Sequence, residues 1–239
     1  MAAVQLGDTT LFSDANLQEY YTLEDANADK NSNNLTEENT PTYVSAKFTN
    51  GVSGGTTDGN KALTIASSLG FGSGDYSISL WLKLNTEIAA GLYYICEIAS
   101  ATANNSVLLQ YDYNSGTPQL SVQRVRLGVA ADTGTPYNIT LGTSAFYHIV
   151  WTYNNTSNTM KLYVNNVEVQ SFTSSGDGSG GGTDRFRLLA GRNNATDNNT
   201  LGIIDDVGLF NRVLTTTDID LLYNGLPSTS GGSFLLHFT

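Results

Sequence analysis

Alternating hydrophobic and polar residues predict that this chain folds mainly into β-strands. Between Tyr76 and Leu84 every second residue is apolar or aromatic, and the residues between them are Ser, Trp and Lys. A period of two residues is typical of a strand with one face in the core. A similar strand at 146–153 leads through a polar connection to a strand at 160–164, which predicts a hairpin. Asn165 and Asn166 then fit a two-residue turn with positive φ, and the return strand begins at 167–169.

The remaining pattern extends this prediction over the chain. Further strands, bounded by Gly, Asn, Asp or Ser, are predicted at 61–65, 93–98, 106–111, 119–126, 186–190 and 201–210. A first strand at 19–23 is expected to pair with an apolar tail strand at 234–238. One helix is predicted at 215–223, with Thr215 as its N-cap and Gly225 as its left-handed C-terminal residue. We therefore expect a single domain at 17–239, preceded by an N-terminal arm at 1–16.

Composition narrows the classes of partner. Hydrophobic residues make up 40% of the 239 residues, enough for a sizeable core, while only 14% are charged. Acidic residues outnumber basic ones by 22 to 11, so the surface repels phosphate backbones, and nucleic acid is not expected as a partner. The single cysteine, Cys96, lies in a predicted strand and is expected to be an inert core residue.

Two observations bear on localisation. No apolar run approaches the roughly 20 residues that span a bilayer, so membrane insertion is not expected. The first ten residues lack the basic start and apolar stretch of a signal peptide. The protein therefore either stays inside the cell or leaves it by a route that needs no signal peptide, such as release within a virus particle. Because a surface rich in Asn, Thr, Ser and Gly is common in extracellular and virion proteins, we expect an extracellular or virion-surface protein without a signal peptide in this sequence.

Four stretches together resemble one known family. They are 20–34, the strand at 76–84, the hairpins at 146–169, and the segment 188–223, which contains Ile204-Asp205-Asp206-Val207 and Asn211-Arg212 before the predicted helix. Their order resembles the laminin G-like members of the concanavalin A-like superfamily. The resemblance implies an all-β, two-sheet antiparallel jelly-roll sandwich with one short helix near the C-terminus. The family contains binding modules, adhesion domains, virion proteins and some glycanases, so the fold alone does not assign a function.

Catalytic chemistry is not indicated. Retaining glycanases of this fold place paired carboxylates on one strand, in an E-x-D-x-E arrangement, roughly 5 Å apart. No glutamate here alternates with another carboxylate along a convincing strand. The two histidines, His148 and His237, lie on apolar strands without a Ser or Cys nucleophile motif. We expect a protein that is not an enzyme, and a glycan hydrolase is the weaker alternative.

The acidic residues of the first loop and of the closing strand could bind a structural Ca²⁺ or take part in hydrogen bonds. Asp25, Asn27 and Asp29 offer oxygen side chains at alternate positions of one loop, as Ca²⁺ prefers. The resemblance implies that such a loop is joined by Ca²⁺ to Asp205 and Asp206 on the closing strand. Asp205 alternates with Val207 and Leu209 and is expected to face inward, where either Ca²⁺ or a hydrogen-bond network must satisfy it. Asp and Asn in loops are also ordinary turn formers.

Ligand binding would use exposed aromatic rings and polar loop residues. The candidate aromatic residues are Trp81, Tyr93, Tyr111 and Tyr113, although Tyr and Trp in strands also serve in packing. The candidate loop residues are Asn193, Asn194 and Asp197, in a polar segment expected at one end of the sandwich.

Two non-catalytic functions remain open. One is a binding or adhesion module that recognises a glycan or surface polymer, with or without Ca²⁺. The other is a virion-associated component, such as a capsid decoration or tail protein with glycan-binding capacity, that docks on neighbouring capsid or tail proteins through residues 2–16.

Overall fold

The computed structural model describes residues 5–55, 61–65, 69, 74–88, 90–99, 105–113, 116–126, 129–174, 185–190 and 200–225. The strands are β1 Leu17–Tyr21, β2 Thr36–Glu38, β3 Thr42–Ser45, β4 Asn50–Ser53, β5 Ala62–Ile65, β6 Tyr76–Leu84, β7 Leu92–Ala99, β8 Asn105–Asp112, β9 Gln119–Arg126, β10 Val129–Thr133, β11 Tyr137–Asn138, β12 Tyr147–Asn154, β13 Thr159–Val164, β14 Val167–Thr173, β15 Arg185–Leu188 and β16 Gly202–Phe210. One helix, α1, covers Thr216–Asn224, and two short 3₁₀ helices cover Leu6–Asp8 and Thr10–Ser13.

The strands form two eight-stranded antiparallel sheets, which confirms the predicted sandwich. The first sheet has the order β14-β13-β12-β6-β16-β4-β3, with β1 also paired to β16. The second has the order β10-β9-β8-β7-β15-β5-β2, with β11 also paired to β9. The inner faces meet in one core that contains Ile78, Leu80 and Leu82 from the first sheet and Val107 and Leu109 from the second.

The predicted hairpins are confirmed. β12 pairs with β13, and β13 with β14, as an antiparallel meander. Asn165 and Asn166 connect β13 to β14 with φ of 49° and 66°. Asn adopts this left-handed conformation more readily than other residues with a Cβ, which explains why the turn could be read from its sequence.

The helix is also confirmed, with its boundaries within a residue of the prediction. The Thr215 hydroxyl accepts a hydrogen bond from the Asp218 amide, and the Asp218 side chain accepts one from the Thr215 amide, so the two form a capping box. Gly225 ends the helix with φ of 77°. Ile219 and Leu222 are buried, which fixes the helix to the sheet below it.

A third layer covers part of the outer face of the first sheet. Leu6 and Leu11 from the 3₁₀ helices pack in one buried cluster with Ile219 and Leu222 from α1 and with Val150 of β12, among others. Arg212, just after β16, pairs with Asp14 of the N-terminal segment at 2.7 Å. Residues 5–16, which were predicted to belong to an N-terminal arm, thus pack as a layer on the sandwich.

Gly208 lets this layer approach the sheet. A Cβ at this position would lie 2.4 Å from Leu6 Cδ1, closer than two carbon atoms can approach. The side chain of Leu6 thus occupies the space that any larger residue at position 208 would need.

Some parts of the chain differ from the sequence-based prediction. The short strands β2, β3, β4, β10 and β11 were not predicted, because they have at most five residues and show no clear alternation of apolar and polar positions. The predicted tail strand at 234–238 and His237 lie outside the described residues. No helix in the described ranges is long and apolar enough to cross a bilayer.

Candidate functional site

The structure brings Tyr93, Tyr111 and Tyr113, predicted as ligand-binding residues, to one end of the sandwich. Tyr93 pairs in register with Tyr111 across β7 and β8, and Tyr113 follows Tyr111 just beyond the end of β8. Leu120 of β9 pairs with both Tyr111 and Tyr137. Residues paired in this way place their side chains on the same face of the sheet. We call Tyr93, Tyr111, Tyr113, Tyr137 and Tyr147 the tyrosine rim.

The first sheet contributes Tyr147, the first residue of β12, to the tyrosine rim. Tyr93, Tyr113, Tyr137 and Tyr147 are partly exposed and pack against the main core, whereas Tyr111 is only 2% exposed. Burial raises the pKa of the Tyr111 phenol, and the nearby Tyr113, Glu87 and Tyr147 raise it further. Tyr113, Glu87 and Tyr147 therefore all lie near the buried Tyr111.

Hydrogen bonds to the backbone hold three of the five phenols of the tyrosine rim in place. The hydroxyl of Tyr111 accepts a hydrogen bond from the Leu141 amide at 3.3 Å. The hydroxyls of Tyr93 and Tyr147 each donate to a carbonyl oxygen, of Ala90 and Thr140, at 3.3 Å. Tyr111 is thus a buried support, and the other four members of the tyrosine rim are partly exposed. The exposed carboxylate of Glu87 adds a hydrogen-bond acceptor beside them.

Trp81 does not belong to an exposed aromatic surface, and its prediction as a ligand-binding residue is corrected. The strand pattern places it on the outer face of the first sheet, as expected, but it is only 2% exposed. The ammonium group of Lys47 lies 4.4 Å from the centroid of its ring, and the ring of Tyr223 stacks at 6.0 Å. The β3–β4 connection and α1 therefore cover Trp81 completely.

His148 lies beside Trp81 and is equally inaccessible. Its ring centroid lies 4.8 Å from that of Trp81, and its Nε2 is 2.9 Å from the Ser79 hydroxyl. Burial, with a smaller contribution from Lys47, lowers the pKa of His148 to about 3, so the ring is neutral at physiological pH. This placement agrees with the expected structural histidine.

The residues of the predicted calcium loop already bond with one another and with the backbone. Asp25 accepts hydrogen bonds from the backbone amide and the side-chain amide of Asn27, at 2.7 and 2.8 Å. Asp29 accepts one from the Thr22 amide at 2.6 Å. All three side chains are exposed. These are contacts of an Asx-rich turn, the alternative that the sequence left open.

Asp205 and Asp206 are buried, unlike the side chains of that loop, and a β-bulge determines their orientation. The register of β16 against β6 shifts between Asp205 and Gly208, and Asp206 has φ of 53°. Asp205 consequently pairs with Trp81 on the outer face, while Ile204 and Val207 face the core. The expectation that Asp205 faces inward was wrong, because the bulge interrupts the alternation.

The two carboxylates hold two different segments. Asp206 accepts hydrogen bonds from the Leu6 amide at 3.0 and 3.1 Å and from the Tyr20 hydroxyl at 2.6 Å. Asp205 accepts one from the Phe48 amide at 3.0 Å, and its other oxygen, Oδ1, has no hydrogen-bond partner among the described residues. Burial raises the pKa of Asp205 to about 6 and that of Asp206 to about 7.

These contacts do not fit a single five-ligand calcium shell. Within the described ranges, no three His, Cys, Asp or Glu side chains converge as a metal site requires. Asp206 already uses both oxygens on Leu6 and Tyr20, and Asp25 uses both on Asn27. Calcium binding itself stays a prediction.

Some predicted site residues lie outside the described part of the chain, and some residues of the tyrosine rim were not predicted. The candidate loop residues Asn193, Asn194 and Asp197 lie outside the described residues. Tyr137, Tyr147 and Glu87 of the rim were not singled out from the sequence. Tyr147 could have been found, since it lies in the strand predicted at 146–153 and shares the inward face with Ile149 and Trp151. Tyr137 lies on a strand of only two residues, which gives no pattern.

The fold is shared with solved carbohydrate-related domains. The chain is similar to domain 4 of AbnA, a GH43 extracellular arabinanase from Geobacillus stearothermophilus solved with arabinotriose, with a TM-score of 0.68 and 18% identity over 87% of this chain and 98% of that one. It is also similar to the binding domain of botulinum neurotoxin DC in complex with SialylT, with a TM-score of 0.66 and 14% identity over 90% of this chain and 52% of that one.

A third similar structure comes from botulinum neurotoxin type C, whose cell entry depends upon interaction with two ganglioside molecules. The TM-score is 0.69 and the identity 16%, over 92% of this chain and 54% of that one. The chain thus spans about half the length of both neurotoxin chains. At such identities the likeness shows the fold alone.

The family follows from the sequence. No curated protein matches the chain significantly. Residues 56–220, more than half of the chain, match the family Laminin_G_3. Together with the two-sheet sandwich, this match shows that the chain belongs to the concanavalin A-like lectin/glucanases superfamily.

Proposed function

We propose that this protein is a non-catalytic glycan-binding module and that the tyrosine rim is its glycan-binding surface. The observation that carries the proposal is the cluster of partly exposed tyrosines, Tyr93, Tyr113, Tyr137 and Tyr147, fixed around the buried Tyr111. Sugar rings have an apolar face that packs on an aromatic ring, and hydroxyls that bond to polar groups at its edge.

The tyrosine rim supplies both kinds of contact. Tyrosine offers a large, rigid contact area at a low cost in side-chain entropy, together with a polar hydroxyl. Because the hydroxyls of Tyr93 and Tyr147 are already anchored to carbonyl oxygens, the rings need little ordering when a ligand binds. The carboxylate of Glu87 can accept hydrogen bonds from sugar hydroxyls. Similar domains that were solved with arabinotriose or SialylT support a saccharide as the ligand.

Binding is favoured over catalysis by the chemistry of these residues. Glycoside hydrolysis commonly uses two carboxyl groups on either side of the scissile bond. In the tyrosine rim we assign Glu87 a binding role and assign no catalytic pair. His148 is buried beneath Trp81 and Tyr223, where no polysaccharide reaches it.

A glycan array that includes arabinan oligosaccharides and sialylated glycans tests the proposal. Binding is then measured by titration calorimetry for the wild type and for Tyr113→Ala and Tyr147→Ala. Each substitution should weaken binding about tenfold or more, as is typical for an aromatic residue at the centre of a binding surface. The matched control is Tyr43→Ala, which removes a partly buried tyrosine from β3. Equal losses in the control and the rim variants, or no array hits, would contradict the proposal.

We also propose that glycan binding involves a structural or ligand-bridging Ca²⁺. The array is read with Ca²⁺ and with excess EDTA, and an unchanged melting temperature and glycan profile would exclude a structural or ligand-bridging Ca²⁺.

We further propose display at an extracellular or virion surface, supported by the low content of charged residues, 14%. Cosedimentation with purified particles tests docking on capsid or tail proteins.

A further inference from the structure

A groove lies on the outer face of the first sheet, apart from the tyrosine rim. It has a volume of about 330 Å³ and is lined by Thr152, Asn154, Ser157, Thr159, Lys161, Tyr163, Val213, Leu214 and Thr216. Its floor consists of cross-strand pairs of β12 and β13, since Thr152 pairs with Lys161 and Asn154 with Thr159. Its wall is the segment that connects β16 to α1.

The wall is held rigidly against the sheet. The Ser77 hydroxyl accepts a hydrogen bond from the Leu214 amide at 2.9 Å and donates one to the Arg212 carbonyl at 2.8 Å. The guanidinium of Arg212 pairs with both Asp14 and Asp218 at 2.7 Å. Because these bonds connect the wall to β6, to the N-terminal layer and to α1, the groove is formed before any ligand arrives.

The floor is fixed as well. The ammonium group of Lys161 bonds to Glu168 of β14 at 2.9 Å, and the hydroxyl of Tyr163 donates to the same carboxylate at 3.2 Å. The Asn154 side-chain carbonyl accepts hydrogen bonds from the amide and hydroxyl of Ser157 at 2.9 and 3.0 Å. Glu168 therefore neutralises the cation at the groove, which disfavours a ligand chosen for its negative charge.

Several groups of the groove remain free to bind a ligand. The hydroxyls of Thr152 and Thr216 and the side-chain NH₂ of Asn154 have no hydrogen-bond partner among the described residues. Thr152 lines the groove and is only 2% exposed, which places it at the bottom of the groove. Val213 and Leu214 add an apolar part to the lining of the groove. A neutral sugar ring, with one apolar face and a periphery of hydroxyls, matches this arrangement.

We propose that the groove is a second saccharide site, which takes one or two neutral sugar residues. The volume lies at the lower end of the roughly 300–1,000 Å³ typical of small-molecule sites, consistent with such a ligand. Tyr147 of the rim and Asn154 of the groove are the first and last residues of β12, which has 8 residues, so they lie roughly 20 Å apart. The two sites also use opposite faces of the sheet, so neither depends on the other.

An NMR titration tests this site. Methyl glycosides of neutral pentoses and hexoses are added to methyl-labelled protein. At least one glycoside should shift the methyl signals of Thr152, Thr216, Val213 and Leu214. Thr152→Val and Thr216→Val, which remove a hydroxyl at nearly constant volume, should each weaken that binding about three- to tenfold. Thr42→Val, at an exposed position of β3, is the matched control and should have no effect.

The outcomes separate this proposal from that of the rim. Binding in the groove should persist in Tyr113→Ala and Tyr147→Ala, whatever those substitutions do to glycan-array hits. Methyl signals of the groove that stay unchanged with every glycoside would overturn the proposal. So would binding of glucuronate in place of the neutral glycosides, because it would identify the groove as an anion site at Lys161.

Discussion

At the residue scale, burial and charge conflict most directly at Asp205 and Asp206. Both side chains are at most 2% exposed. The charged form of each carboxyl group is further disfavoured by a nearby acid, which is Glu24 for Asp205 and Asp8 for Asp206. Burial raises the pKa of Asp205 to about 6 and of Asp206 to about 7, from a usual value of 3.8. Ionisation of either group therefore costs folding free energy.

The direction of the pH dependence follows from these values. A carboxyl group with a raised pKa in the folded state stabilises the fold below its unfolded pKa, and this contribution is lost as the pH rises through the folded pKa. We expect the free energy of unfolding to fall between about pH 4 and pH 7, by at most about 1.4 kcal/mol per pH unit for each group. Urea denaturation over this range measures it.

Asp206→Asn isolates one of the two groups. Asparagine accepts the left-handed backbone at this position, where φ is 53°, and its carbonyl can still accept the Leu6 amide. The variant should therefore show a shallower pH dependence than the wild type and gain relative stability near neutral pH. An unchanged slope would mean that Asp206 ionises normally in the folded protein.

The residue scale also shows where sequence reasoning about the site succeeded and failed. Tyr93, Tyr111 and Tyr113 could be predicted as aromatic candidates, and β-pairing does bring them together. Trp81 satisfied the same criterion, since alternation does place it on the outer face, but a single strand carries no information on what covers that face. Asp205 failed for a related reason, because nothing in the alternating pattern marks the bulge that reverses its orientation.

At the element scale, the segments predicted best are those specified by local contacts. The β12–β13–β14 meander and α1 depend on neighbouring residues such as Asn165, Asn166, Thr215 and Gly225, whose conformations are readable one by one. The N-terminal 3₁₀ helices depend on contacts about 200 residues away, such as that of the Leu6 amide with Asp206. No local signal distinguishes such a layer from a free arm.

A core substitution tests whether the N-terminal segment is part of the fold. Leu6 is fully buried against Gly208 and the cluster below α1. Leu6→Ala should lower the free energy of unfolding by about 2–5 kcal/mol, through lost burial and the cavity it leaves. Val167→Ala, at a side chain that is 60% exposed, should change it by no more than about 0.5 kcal/mol. Equal, small effects would indicate a segment that is only loosely attached, as the sequence suggested.

At the scale of the whole molecule, the domain has three layers but only two tryptophans, one in each interface. Trp151 is buried in the core between the sheets, and Trp81 is buried between the first sheet and its cover of Lys47, Phe48 and Tyr223. Asp205, Asp206 and Arg212 connect the cover to β16 and the segment after it, which suggests that cover and sandwich unfold together.

Single-tryptophan variants test this cooperativity. Trp81→Phe leaves Trp151 as the reporter of the core, and Trp151→Phe leaves Trp81 as the reporter of the cover. In each variant, the fluorescence transition and the far-UV circular dichroism transition should have the same midpoint, because a two-state domain loses all its layers at once. If Trp81 becomes exposed at a lower denaturant concentration than that at which the strands unfold, the cover is a separate folding unit. The saccharide groove, whose wall belongs to that cover, would then open without unfolding of the sandwich and of the tyrosine rim.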